Sequence, residues 1–209
     1  KNKKKNKYAE IKLRLNGLSK QIRQNRKKVI PILKTQMELL LKDMGMVDTV
    51  FKIELEESDF FLKKGKDKLI LNFSANKGAP LGPLSKTASG GELSRIMLAL
   101  KSILSNYKNL PTIIFDEIDT GVSGEIANSI GRIMKNMATN MQVISITHLP
   151  QVAAKATYHL KVFKTIKKEK TSTELKSLNY NERVSEIAEM LSGDNFAVSA
   201  HDLAKELLN

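Results

Sequence analysis

The chain has 209 residues, 41% hydrophobic and 27% charged, with no cysteine and a net charge of +13. That length supports one good core with a small appendage, and the missing cysteines exclude a disulfide framework and any thiolate metal site. No apolar run approaches the roughly 18 residues that span a bilayer and no secretory pattern opens the chain, so nothing points to export and a cytoplasmic setting is expected.

The positive charge is concentrated at the start. Residues 1–34 hold 13 Lys+Arg against one acid, Glu10, while the rest is close to neutral. Such an arm can follow phosphate backbones and release counterions, which makes Lys3, Lys4, Lys5 and Lys7 candidates for DNA contact; a solvated helical face is the other reading. The chain opens at Lys1 rather than at Met, so it reads as a piece of a longer polypeptide.

The first predicted element is a long helix over residues 1–44. Tyr8, Ile11, Leu15, Leu18 and Ile22 recur at alternating spacings of three and four, followed by Asn25, Val29 and Ile32, the pattern of a coiled-coil seam. Pro31 should kink or break it, near the point where a second stripe (Leu33, Met37, Leu40, Met44) begins out of phase. No second helix with matching heptads occurs in the chain, so the partner helix is expected from outside it or from a second copy. Residues 45–209 read as a separate globular lobe.

From Thr49 the period changes to two. Residues 50–56 and 69–73 alternate around a turn at Gly65 and predict a two-strand meander. Residues 76–83 are rich in turn formers and read as a loop. A helix is expected from Glu92 to about Ser105. Pro111 then precedes Thr112–Phe115, a short apolar run of buried-strand type. A helix over 125–137 and a second such strand over 142–146 complete a β–α–β unit. Strands near 160–166 and 173–178 and helices over 183–191 and 197–208 close the chain.

Four short strings carry candidate chemistry. Ala88-Ser-Gly-Gly-Glu-Leu-Ser-Arg95 places Ser89, Gly90, Gly91 and Glu92 at a helix start, where free amides and the helix dipole favour a phosphate; an ordinary helix capped by Ser89 gives the same string. Thr112-Ile-Ile-Phe-Asp-Glu117 ends a strand in two acids at the carboxyl edge of a sheet, where α/β proteins bind ligands. The first suits Mg²⁺ and the second a general base, although paired acids at a strand end also serve as helix caps. Asp119 then leads a glycine-bearing turn to Gly124. Ser145-Ile-Thr-His148 ends the second strand in a histidine able to meet a γ-phosphate. His159 and His201 read as structural.

The order of these strings is more specific than any member. It resembles the signature, Walker B, D-loop and switch segments of ABC-type ATPases. The strings Ala88–Lys101, Phe115–Gly124, Thr147–Ala154 and Arg183–Gly193 are similar to the RecN family, bacterial SMC-like DNA repair ATPases. The resemblance implies an α/β fold: the carboxy-terminal lobe of an ABC/SMC-type ATPase head with an amino-terminal coiled-coil helix segment. It implies ATP and Mg²⁺, with Asp116 helping to hold the metal, Glu117 as base and His148 sensing the γ-phosphate. Ser89, Gly90, Gly91 and Glu92 would act on ATP held by an opposite head, with Asp119 linking the two sites. The implied partners are DNA, a second head, and the amino-terminal half of the same protein, where the family keeps its P-loop; no G-x-x-x-x-G-K-[ST] occurs in this chain. The competing readings are the head of another ABC-type ATPase, or a non-enzymatic module that dimerises through its helix and binds DNA.

Overall fold

The computed structural model describes every residue except Lys1, Lys108, Asn109, Glu117, Thr120, Ser123, Lys168, Glu169 and residues 194–197, and omits the side chains of residues 2, 166, 167 and 170. The chain divides into two units, Lys1–Ile96 and Met97–Asn209.

In the first unit a single helix, α1, spans Asn2–Asp43 and runs through Pro31 without a break. The proline removes the donor owed to the Lys27 carbonyl, but Lys27 and Pro31 are both exposed, so water can take that acceptor and the helix persists. Only its last turns enter a core. Met37, Leu41 and Met44 are buried together with Phe51 and Phe73, whose rings meet at 5.4 Å and 45°. The upstream stripe of Tyr8, Ile11, Leu15, Leu18 and Ile22 stays exposed.

The meander is longer than its alternation suggested. Strands β1 (Val50–Leu62) and β2 (Gly65–Ser74) pair antiparallel from Val50↔Ser74 to Glu57↔Asp67, with a register shift before Leu62↔Gly65. The residues at 76–83 are not wholly a loop: Gly82–Pro83 form a two-residue strand, β3, on the free edge of β2. The hairpin is tied to α1 by charge. Asp67, with its side chain 3% exposed, accepts hydrogen bonds from Arg23 and from Arg26, the latter at 2.9 Å. Both arginines also donate to hairpin carbonyls, Leu55 and Lys64, and Ser19 Oγ accepts from Lys66 N at 3.2 Å. A short helix α2 (Leu84–Thr87) and the start of α3 (Gly90–Ser105) follow.

The second unit is built on the expected β–α–β crossover. Strands β4 (Thr112–Asp116) and β5 (Gln142–Ile146) are parallel, paired from Thr112↔Gln142 to Asp116↔Ile146, with α4 (Gly124–Met137) between them. Their apolar runs predicted burial on both faces. Phe115 is buried, but Ile114, Ile144 and Ile146, which alternate with it onto the other face, are 63%, 42% and 54% exposed, so one face of the pair is open.

After β5 come a five-residue helix α5 (Pro150–Ala154), a β6–β7 hairpin (Leu160–Lys167, Lys170–Ser177) and two helices, α6 (Tyr180–Ser192) and α7 (Val198–Leu208). Ala153 and Ala154 of α5 are buried in one cluster with Val184, Ile187 and Ala188 of α6 and Ala200 and Ala204 of α7. A capping box between Asn179 and Glu182 starts α6, and Lys161 of β6 pairs with Glu186 and Glu189 on its flank. No described helix is long and apolar enough to cross a membrane.

Candidate nucleotide site

The start of α3 belongs to the first unit. Ser89 Oγ accepts from Glu92 N at 3.4 Å, and the Glu92 carboxylate accepts from Ser89 N at 2.8 Å. This reciprocal capping box satisfies the third amide of the helix. The two glycine positions between them leave the helix end uncovered: a Cβ added at Gly90 would meet nothing within 4 Å. Ser89 and Glu92 are thus engaged in building the helix start, while the amides of Gly90 and Gly91 remain as donors at its positive end.

The other expected residues lie in the second unit. The β4/β5 register sets Asp116 opposite Ile146, so Asp116 and the segment Thr147–His148 lie at the same carboxyl edge of adjacent strands. Asp116 and His148 are both exposed. Glu117 lies outside the described residues. The turn after it contains Gly121 at φ 76°, a left-handed conformation suited to glycine, closed by Val122 N donating to Asp119 O at 3.3 Å.

Asp119 is turned inward, only 1% exposed. Its Oδ2 accepts from the Thr147 hydroxyl, and its Oδ1 is buried with no hydrogen-bond partner among the described residues. The Thr147 oxygen also accepts from Leu149 N at 3.0 Å. Sequence reasoning singled out Asp119 but not this pairing. A threonine directly before the histidine, and an acid three places after Asp116, were the signals available.

Arg183 was also missed as an individual residue. Its guanidinium donates to the carbonyls of Ala156 at 2.7 Å and of Ala154 and Thr157 at 3.4 Å, capping the carboxyl end of α5 with a positive charge. The other side of α5 meets α4 at Gly131, where a Cβ would stand 3.2 Å from the Gln151 carbonyl oxygen. His159 is half-buried, and burial together with the nearby Arg183 charge pushes its pKa below the ordinary histidine value. His201 lies on α7.

As a metal site the edge is sparse. Among the described residues no three His, Cys, Asp or Glu side chains gather closely enough to enclose an ion. One exposed carboxylate at a strand end nevertheless fits Mg²⁺, which is commonly held by one or two carboxylates while phosphate oxygens and water complete its shell.

The lysines proposed for DNA contact sit on the first turns of α1, exposed. Among the described residues Lys3, Lys4, Lys5 and Lys7 make no ion pair.

No family model matches the chain. It is 44% identical over 169 residues to the DNA repair protein RecN of Rickettsia typhi, covering 81% of this chain and 30% of that one. It is 40% identical over 188 residues to the DNA repair protein RecN of Halalkalibacterium halodurans, covering 88% and 33%. The chain therefore spans about a third of the length of the curated relatives it matches. Among solved structures it resembles the Smc head domain with a coiled coil and joint from Pyrococcus yayanosii, with a TM-score of 0.67, 17% identity, and coverage of 91% of this chain and 35% of that one. The fold is mixed α/β with a long amino-terminal helix and is similar to part of that Smc head domain.

Proposed function

The matched residues belong to the RecN family, and from that premise we propose that this chain is one lobe of a divided ATPase head acting in DNA double-strand break repair and recombination. It supplies carboxylates, histidine and helix-end amides, while a P-loop lobe from the amino-terminal half of the same protein supplies the nucleotide cradle. The observation that supports the reading is the parallel register Asp116↔Ile146, which sets Asp116 beside the strand end that leads into Thr147 and His148.

The chemistry follows residue by residue. Asp116 would help to hold Mg²⁺, which when bound would supply positive charge to offset the negative charge developing on the phosphate oxygens. Glu117, next in sequence, accepts a proton from the attacking water. His148 donates to the terminal phosphate. Gly90 and Gly91 present their amides to the terminal phosphate of ATP bound by an opposite head, an approach that any side chain at Gly90 would hinder. The capping box holds that end in place, so Ser89 and Glu92 serve the contact by shaping the helix start. The open face at Ile114, Ile144 and Ile146 supports a covering lobe, since apolar side chains at a sheet face gain by leaving water. The exposed heptad stripe of α1 supports a partner helix, and Lys3, Lys4, Lys5 and Lys7 contact DNA phosphates.

The test is ATP turnover by the chain combined with its P-loop lobe. Glu117→Gln is expected to slow hydrolysis by about 10²–10⁴, the scale of general-base loss, while ATP binding persists. Turnover at the unmodified rate would remove Glu117 as the base. The exposed stripe also fits a plain coiled-coil dimerisation module; that reading predicts association indifferent to ATP.

A further inference from the structure

Asp119 turns inward: its carboxylate is 1% exposed and bonded to Thr147 of the neighbouring segment. The Thr147 oxygen is shared. It donates to Asp119 Oδ2 and accepts from Leu149 N at 3.0 Å, so the residues on both sides of His148 are anchored through one hydroxyl to the segment that follows the acid pair.

The anchoring continues beyond the histidine. Helix α5 begins at Pro150, and its far end is gripped by Arg183 through the carbonyls of Ala154, Ala156 and Thr157. Its flank rests on Gly131 of α4 without space for a methyl group. The stretch 147–157 is therefore fixed at both ends, and among the described residues the Asp119–Thr147 bond ties it to the segment that follows β4. Among the described residues Thr147 is the donor to this carboxylate and Oδ1 of Asp119 has none, so loss of that hydroxyl would strand a buried acceptor.

We infer that Asp119 and Thr147 are positioning residues that hold His148 beside the strand end that carries Asp116, so that the two strand ends move as one body. The inference rests on the reading of this edge as the phosphate site, because the position of His148 matters to turnover only there.

The experiment compares Thr147→Val, which keeps the shape and removes the hydroxyl, with Thr147→Ser, which restores it. In the 209-residue chain, nuclear magnetic resonance follows the His148 ring signals and hydrogen exchange of the Leu149 amide. The same variants are then assayed with the P-loop lobe. Thr147→Val is expected to shift the His148 signals, speed Leu149 exchange about tenfold, and lower kcat about tenfold with KM for ATP unchanged. Thr147→Ser should return all three towards the parent values. Unmoved His148 signals in Thr147→Val would overturn the inference, as would a serine variant no better than valine, or a lowered melting temperature with kcat intact. If the unmodified chain and lobe show no turnover, the ATPase reading fails while the spectra still decide whether the link holds His148.

Discussion

Replacing Asp67 with Asn tests the attachment of the β1–β2 hairpin to the arm. The carboxyl is 3% exposed and lies between two guanidiniums, with Arg23 and Arg26 each 24% and 31% exposed. Burial pushes its pKa up, but the hydrogen bonds from Arg26 and Arg23 and their charges outweigh burial and hold it below the ordinary aspartate range. Asn retains one acceptor and turns an N–H₂ towards the second arginine, so at least one charge-assisted bond is lost. Removing one partner of a fully buried pair costs about 3–5 kcal/mol. Here both arginines touch solvent and keep their bonds to Leu55 and Lys64, which lowers the expected cost to about 2 kcal/mol. With a urea slope of about 1–3 kcal/mol per molar, the midpoint should fall by about 1 M. The sign with pH is fixed. Because the folded pKa lies below the unfolded one, the contribution is complete above about pH 3.9 and is lost as pH falls through the folded value. Urea unfolding of parent and variant at pH 7 and near pH 2.5, followed by circular dichroism, should show a gap that narrows in acid. Equal midpoints at pH 7, or a gap of unchanged size in acid, would refute the argument.

Two further outcomes are expected. Gly131→Ala gains about 1 kcal/mol of helix propensity but forces a methyl against the Gln151 carbonyl at a cost of about 1–3 kcal/mol, so a net loss near 1 kcal/mol should appear as a lower melting temperature and faster amide exchange in α5. Reversing Lys3, Lys4, Lys5 and Lys7 to Glu should weaken DNA binding and flatten its salt dependence; titrations across salt concentrations that match the parent would return the arm to a solvated face.

How far the sequence could be read depended on the range of the forces involved. Periodic burial is local, so α1, α3, α4 and the strands ending at Asp116 and Ile146 could be placed from apolar spacing. Elements too short to show a period escaped notice: α5 has five residues and opens on a proline, and β3 is a Gly-Pro pair. The hairpin was underestimated because alternation fails where the register shifts between Glu57 and Leu62. Pro31 was overweighted, since a missing donor costs little where its carbonyl faces water. At the site, Asp116 and His148 could be placed from the ends of the two apolar runs, while Glu117 lies outside the described residues. The bond from Thr147 to Asp119 joins residues 28 apart, and no spacing rule reports a contact made by two strands lying side by side.

The divided-site account is tested most directly by measuring ATP hydrolysis by this chain alone, by the P-loop lobe alone, and by the two together. The account predicts no turnover from either part, and turnover from the mixture that Glu117→Gln suppresses. Hydrolysis by this chain alone, or a mixture whose turnover ignores that substitution, would contradict it.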